Sequence, residues 1–190
     1  LVVDKAPSQP GEAILSVDQM HVVDPTGRTL VDHVNFDVHA GEIVGVAGVQ
    51  GNGQTELVEA LTGLRDVIAG SVHLGGDDIT HATPREVHSV GVAHIPEDRQ
   101  RAGLVGDFSV AENMVLTRYH DDEFSTGIKM DWPKARTVAA DLVEQYDVRT
   151  PSIQTPAGTL SGGNQQKVIV ARELSRDLQL VIASQPTRGV

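Results

Sequence analysis

Cysteine is absent from this chain of 190 residues. Disulfide bonds and thiolate metal sites are therefore excluded, and the composition fits a reducing compartment. Eight histidines are present, but they are scattered, and neither His-x-His nor His-Glu-x-x-His spacing occurs among them. We therefore expect no metal site built from the histidines.

Positive charge and long apolar runs are also scarce. Only 15 lysine and arginine residues stand against 26 aspartate and glutamate residues, which gives a formal net charge of -11. Because nucleic-acid binding needs a basic surface, we expect no nucleic-acid partner. No apolar stretch approaches the roughly 18 residues of a membrane-spanning helix, and no signal peptide is recognisable at the start.

What is present predicts one folded domain behind a short linker. The hydrophobic content of 39% is ordinary for a globular protein. Residues 1–12 are rich in proline and glycine and predict a linker, and residues 13–190 then form the domain. Leu1 is not an initiator methionine, so we expect the chain to be a piece of a longer polypeptide.

Hydrophobic periodicity and capping signals predict the first elements. Residues 13–23 and 34–38 alternate as half-exposed strands, whereas Ile43 to Ala47 is continuously apolar and predicts a central strand covered on both faces. Thr83 before Pro84, and Ser109 with Glu112, are typical of helix starts. We expect the second of these helices to run to about residue 118.

Later in the chain, periodicity predicts a longer helix and a further strand. A helix opens at Trp132 and carries one apolar face with helical spacing. That face consists of Ala135, Val138, Ala139, Leu142, Val143 and Tyr146. The apolar run from Leu178 to Ala183 predicts another strand.

A glycine-rich segment lies between the predicted central strand and a helical pattern. It consists of Gly48, Val49, Gln50, Gly51, Asn52, Gly53, Gln54 and Thr55. This is the frame of a phosphate-binding loop, G-x-x-x-x-G-K-[ST], in which Gln54 replaces the lysine and Thr55 supplies the hydroxyl that would hold Mg²⁺. The glycines allow backbone N–H groups to surround a phosphate at a helix N-terminus. The alternative interpretation is a glycine-rich strand-to-helix turn without a ligand.

A second motif opens an amphipathic segment near the C-terminus. It consists of Leu160, Ser161, Gly162, Gly163, Asn164 and Gln165. About twenty residues later the run from Leu178 to Ala183 ends in Ser184 and Gln185. The alternative interpretation of the glycines is a helix cap followed by close packing.

The order and spacing of these motifs resemble an ATP-binding cassette (ABC) domain, in which a phosphate loop precedes an LSGGQ-type signature and a Walker B strand. The resemblance is strongest to the second, C-terminal half of the tandem ATP-binding proteins of bacterial sugar and nucleoside importers. Four blocks carry it: GVQGNGQTEL at 48–57, HIPEDRQRAGL at 94–104, LSGGNQQKVIVAREL at 160–174 and SQPTRG at 184–189.

The resemblance implies an α/β P-loop fold with a mainly parallel sheet, flanking helices and an antiparallel β subdomain. It also implies a helical subdomain, about residues 97–175, inserted between the phosphate loop and the Walker B strand. The chain stops at Val190, where the family continues, so we expect a domain that lacks its C-terminal part.

The resemblance also implies roles for individual residues. Gln54 stands at the phosphate-loop lysine, Ser184 at the aspartate that supports Mg²⁺, and Gln185 at the general-base glutamate. Glu97 stands where many cassette domains carry a glutamine that touches Mg²⁺ and the attacking water. Val22 and Val23 lie near the position of an adenine-stacking aromatic residue. We therefore expect a degenerate ATP site.

The resemblance further implies ATP and Mg²⁺ as cofactors and a second ATPase half as partner, whose nucleotide would meet the signature of this half. Transmembrane permease subunits, and indirectly a solute-binding protein, would complete a bacterial importer at the cytoplasmic face of the membrane. The alternative is a non-hydrolytic nucleotide-binding or dimerisation module without a role in turnover.

Overall fold

The computed structural model of the chain describes residues 9–49, 51–127 and 129–186. The strands are β1 (Ala13–Val23), β2 (Thr29–His39), β3 (Ala69–Leu74), β4 (Asp77–Asp78), β5 (Val92–Ile95), β6 (Ser125–Thr126), β7 (Lys129–Met130) and β8 (Leu180–Ala183). The α-helices are α1 (Gln54–Leu61), α2 (Pro84–Ser89), α3 (Val110–Met114), α4 (Trp132–Gln145) and α5 (Gly162–Leu174). None of the helices in these ranges has the length and hydropathy needed to cross a bilayer.

The chain divides into two compact units. One comprises the chain up to Val92 together with Leu178–Leu180, and the other comprises Ala93–Asp177 with the chain from Val181 onward. The predicted glycine-rich loop belongs to the first unit, whereas the LSGGN motif, Glu97, Ser184 and Gln185 belong to the second.

The first unit is built around an antiparallel sheet with the strand order β2-β1-β3-β4. Apolar side chains on one face of β1 and β3 are buried, and α1 lies beside β1 and β2. The buried positions of β1 are Leu15, Val17, Met20 and Val22. Their alternation shifts between Val17 and Met20, because the pairing with β2 is irregular there and Gln19 adopts a left-handed backbone conformation, with φ of 49°.

The second unit packs α3, α4 and α5 around one apolar core. The predicted face of α4 is confirmed, since Ala135, Ala139 and Leu142 are buried and the other predicted positions pack partly against the core. Outside this helical core, strands β5 and β8 pair in a two-stranded sheet. Gln179 N–H donates to the Gly91 carbonyl, both in the first unit, and Ser184 N–H donates to the Ile95 carbonyl, both in the second. Donors and acceptors advance in the same direction along the chain, which is the hydrogen-bond pattern of parallel strands.

The predicted helix starts are confirmed, since Thr83 and Ser109 are the N-cap residues of α2 and α3. Thr83 and Glu86 form a complete capping box at α2, and Ser109 and Glu112 form another at α3. The predicted extent of α3 to about residue 118 was too long. After Met114 the backbone tightens into turns, in which Leu116 N–H donates to the Asn113 carbonyl and Arg118 N–H to the Val115 carbonyl.

The prediction of a buried central strand at Ile43 to Ala47 was wrong for the structure as described. This segment is not a strand, and its side chains are exposed, Ile43 by 90% and Val46 by 61%. A strand requires a neighbouring backbone that completes its hydrogen bonds, and none of the described strands pairs with residues 43–47. The expected mainly parallel sheet is therefore represented, among the described residues, by β5 and β8.

Two buried polar side chains hold the second unit together. The side-chain amide of Asn113 donates to the carbonyls of Val105, Phe108 and Ser109, and its oxygen accepts the Val105 N–H at 2.9 Å. Arg172 of α5 is only 4% exposed and donates to the Gly103 carbonyl at 2.9 Å. These bonds fix the loop between β5 and α3 against α5.

We expect Asn113→Ala to lower the free energy of unfolding by about 2 to 4 kcal/mol, because buried backbone groups of the loop lose their partners. Urea denaturation followed by circular dichroism measures this change. The control, Thr137→Ala on the exposed face of α4, should change stability by less than about 0.5 kcal/mol. Equal stabilities for the two variants would contradict the role of Asn113.

Candidate functional site

The glycine-rich loop leads directly into α1. Gly53 precedes the helix with φ of 90°, and Gly51 has φ of 88°. Both values lie in the left-handed region that favours glycine. A Cβ atom on Gly53 would also collide with the Leu30 carbonyl oxygen, so this position requires glycine for space as well as for conformation.

The start of α1 has the features of a phosphate site with reduced charge. Gly53 has no side chain that could cap the helix, so the first backbone N–H groups are available to an anion. Thr55 is exposed in the first turn, where its hydroxyl is accessible to a metal ion. Gln50, which the sequence also assigned to this loop, lies outside the described residues.

Gln54 folds back over the beginning of the loop. A Cβ atom on Gly48 would collide with the Gln54 amide nitrogen, so this amide lies directly against the Gly48 backbone. The amide supplies neutral N–H donors where a lysine would supply a positive charge. The residues present therefore fit a phosphate group through backbone geometry more than through electrostatic attraction.

The two valines near the expected adenine-stacking position pack into the protein interior fully or in part. Val22 is fully buried in the core of the first unit, and Val23 is half-buried at the end of β1. An aliphatic side chain that is buried in the core offers no flat aromatic surface on which an adenine base could stack.

In the second unit, the structure brings together the three residues to which the sequence assigned catalytic positions. Ser184 directly follows β8, and its N–H donates to the Ile95 carbonyl at 2.9 Å. The Gln185 side-chain amide donates to the Glu97 carboxylate at 3.0 Å. Gln185 has φ of 47°, an uncommon conformation for this residue type. The remaining residues of the SQPTRG block, Thr187 to Gly189, lie outside the described residues.

The chemistry of this cluster follows from its groups. A carboxamide can orient a water molecule but cannot accept its proton at neutral pH. Ser184 offers a neutral hydroxyl, which is a weaker metal ligand than a carboxylate. Glu97 is therefore the one acidic side chain among these three residues, and it is engaged with Gln185.

The LSGGN motif forms the start of α5. Ser161 precedes the helix in an extended conformation and is exposed, and Gly162 and Gly163 form the first turn. The Ser161 hydroxyl accepts a hydrogen bond from the Asn164 side chain at 2.9 Å. Asn164 in turn accepts the Arg149 N–H at 2.8 Å. Asn164 thus positions Ser161, while the N–H groups of the first turn face outward from the helix end.

Leu160 and Gln165 point inward. Leu160 is half-buried against the core of the second unit. Gln165 is only 3% exposed, and its amide lies 3.3 Å from the Ala157 carbonyl and 3.2 Å from the Gly158 carbonyl. Its oxygen accepts from Arg99 at 3.3 Å. Arg99 was missed by sequence reasoning as a supporting residue, although it belongs to the Pro96 to Arg99 run that drew attention to Glu97.

The chain is similar to a known protein family and to solved structures of that family. The sequence model of the ABC transporter family matches residues 31–188. Among solved structures, a nucleotide-free ATP-binding cassette from an ABC transporter superposes with a TM-score of 0.75 at 22% identity, covering 94% of this chain and 71% of that protein. The dimeric cassette MJ0796 bound to ADP and Pi gives a TM-score of 0.74 at 20% identity, covering 93% of this chain and 76% of that one. The fold is therefore that of P-loop ATP-binding cassettes.

Curated relatives are more similar in sequence. The nucleoside import ATP-binding protein NupA of Lactococcus lactis subsp. cremoris is 46% identical over 100% of this chain. The guanosine import ATP-binding protein NupO of Bacillus subtilis is 46% identical over 98% of it. The glucose import ATP-binding protein TsgD13 of Haloferax volcanii is 45% identical over 99% of it. The chain spans 37%, 37% and 34% of the lengths of these relatives, respectively.

We expect Gln165→Ala to lower the free energy of unfolding by about 1 to 3 kcal/mol, because the carbonyls of Ala157 and Gly158 and the Arg99 side chain lose a buried partner. The exposed Gln100→Ala removes the same side chain from a solvent-facing turn and should have little effect. Chemical denaturation measures the free energy of unfolding of both variants. A Gln165→Ala variant as stable as Gln100→Ala would contradict the structural role of this amide.

Proposed function

This chain belongs to the ABC transporter ATPase family, and we propose that it is the ATP-binding domain of an importer for nucleosides or simple sugars. The names of its relatives support the solute class, since they import nucleosides, guanosine and glucose. We infer that the chain is the second of two ATP-binding halves in a tandem protein. The four sequence blocks that it shares with that kind of half support this inference.

In this proposal the loop from Gly48 to Thr55 holds the phosphates of ATP, and the Thr55 hydroxyl holds Mg²⁺. Bound Mg²⁺ supplies charge that stabilises the transferring phosphoryl group. The backbone N–H groups of the loop orient the phosphates. Gln54 adds neutral donors, Ser184 supports the metal only weakly, and Gln185 orients a water molecule against Glu97.

Three neutral residues at these positions weaken turnover more than binding. A hydrogen bond to a charged group contributes about 1.5–3 kcal/mol and a neutral one about 1 kcal/mol. The loss of the lysine charge should therefore weaken phosphate binding by about tenfold or more. Phosphoryl transfer depends on the same charges and also on a general base. We propose that the ATP site of this half is degenerate.

The observation that carries the proposal is the N-terminus of α5. Ser161 is exposed there, is held by Asn164, and precedes a first turn made of two glycines. Backbone N–H groups at such a helix end suit a γ-phosphate presented by another subunit. We propose that this half completes the ATP site of its partner half.

A half that completes its partner's ATP site would work inside a larger transporter assembly. Paired ATP-binding halves would sit against transmembrane permease subunits, at the cytoplasmic face of a bacterial membrane, and a solute-binding protein would act through those permeases. The alternative, a binding module without a role in turnover, differs in one respect, because changes in the signature would then leave turnover intact.

Gln54→Lys should tighten Mg-ATP binding by about tenfold, because it returns a positive charge to the phosphates. Turnover by the chain alone should stay negligible, since Ser184 and Gln185 remain neutral. Titration with labelled Mg-ATP and a phosphate-release assay measure the two quantities. Gln100→Lys adds the same charge at an exposed position outside the loop and should not alter affinity. An unchanged affinity in Gln54→Lys would show that phosphates do not bind at this loop.

In the assembled transporter, Ser161→Arg or Gly162→Asp should abolish ATP turnover and solute uptake. Both place bulk where a phosphate must approach the helix end, and the aspartate adds a repelling charge. The matched control is Gln54→Ala, which alters the phosphate loop of this half and should be much milder. Steady-state ATPase activity and uptake are measured side by side, with assembly checked by co-purification. Signature variants that assemble normally and keep wild-type turnover would overturn the shared-site mechanism in favour of the binding module.

A further inference from the structure

Two histidines and an aspartate meet on the antiparallel sheet of the first unit, outside the phosphate loop. His21 lies on β1, and Asp32 and His33 lie on β2. One Asp32 carboxylate oxygen is 2.7 Å from His33 Nδ1 and 3.5 Å from His21 Nδ1. One ligand atom from each of the three side chains lies within 4.8 Å of the other two.

A β-bulge produces this convergence. Met20 pairs with Val34 and Val22 pairs with Val31, so Asp32 and His33 together oppose His21 alone. Neighbouring residues of a regular strand point to opposite faces. A bulge re-aims side chains locally, and here Asp32 and His33 both reach His21. The spacing of the histidines in the sequence therefore gave no indication of the cluster, and the expectation that histidines would form no metal site did not anticipate it.

Contacts from neighbouring residues hold the bulge in place. His33 has φ of 48°, a left-handed value that is uncommon outside glycine. The Asn35 amide donates to the His33 carbonyl at 2.9 Å, and its oxygen accepts the Gln19 N–H at 2.8 Å. One side chain thus fastens the bulged strand to β1, so the three groups are positioned before any ligand arrives.

His21 supplies a second observation. Its Nδ1 atom is shielded from solvent and makes no hydrogen bond of normal length among the described residues, since its contact with the Asp32 carboxylate is long, at 3.5 Å. A buried polar atom that is poorly satisfied is unfavourable. A metal ion bound to this nitrogen and to the adjacent carboxylate would satisfy it.

The donor set selects a class of ion. Two imidazole nitrogens and one carboxylate oxygen suit Zn²⁺, Co²⁺ or Ni²⁺, whereas Mg²⁺ and Ca²⁺ prefer sites made of oxygen atoms. Tetrahedral ligand atoms bound to zinc lie about 3.4 Å from one another, which small rotations of these exposed or half-exposed side chains can reach.

We propose that His21, Asp32 and His33 form a binding site for a divalent transition-metal ion, with Zn²⁺ as its representative. The ion bridges β1 and β2 at the bulge. Three protein ligands leave at least one position for water or an outside ligand. The site is separate from the Mg²⁺ role proposed for Thr55, and neither proposal depends on the other.

The test is a Zn²⁺ titration of the untagged protein by calorimetry, together with the visible absorption of bound Co²⁺. We expect one bound ion, and His21→Gln, Asp32→Asn and His33→Asn should each weaken its affinity by at least about tenfold, since losing even an outer-shell contact costs that much. Asparagine is chosen at position 33 because it tolerates the left-handed backbone. Mg²⁺ in place of Zn²⁺ should give no binding at the cluster.

The control is His81→Gln, which removes an exposed histidine outside the cluster and should leave Zn²⁺ affinity unchanged. Circular dichroism of the metal-free variants verifies their folding, and Zn²⁺ should raise the melting temperature of the wild type and of His81→Gln only. If one cluster variant fails to fold, the other two carry the comparison. Zn²⁺ binding that is absent in the wild type, unaffected by the cluster substitutions, or equally lost in His81→Gln would overturn the proposal.

Discussion

A buried ion pair on α5 positions the elements around it. Arg172 and Glu173 are each about 4% exposed and bond to one another at 2.8 Å. Arg172 also donates to the Gly103 carbonyl, and Glu173 lies 3.4 Å from the His94 N–H of β5. A buried charge that loses its partner is strongly destabilising, so the ends of β5 and α5 are held in one arrangement. Glu97 follows one of these elements, and the LSGGN motif opens the other.

The polar residues near α5 divide into supporting and exposed groups. Gln165 and Asn113 use their amides inside the second unit, where they bond to backbone carbonyls of the surrounding segments. Ser161 stays at the surface and is oriented by Asn164. A helix end with an oriented, exposed hydroxyl suits the recognition of a ligand held by another subunit. The side chains at positions 54, 184 and 185 are all neutral.

In the first unit, irregularities of the strand backbone bring polar side chains together. Both β1 and β2 contain a non-glycine residue in the left-handed region, Gln19 and His33. Asn35 bonds to the backbone of both residues, which lets the strands stay paired across two irregularities. The irregularity at Gln19 shifts the alternation of buried residues, and the bulge at His33 gathers two histidines and an aspartate at one point of the sheet.

The sequence by itself determined the order of the motifs, the helix cap at Thr83, the capping box at Ser109, and the buried face of α4, because these depend on contacts within three or four residues or on the helical period. Only the tertiary structure decided that Gln165 turns inward, that Gln185 bonds to Glu97, and that His21 meets Asp32 and His33. These depend on pairing between distant segments, which no local pattern specifies. The exposed segment at Ile43 to Ala47 follows the same rule, since an apolar run becomes a buried strand only where other strands pair with it.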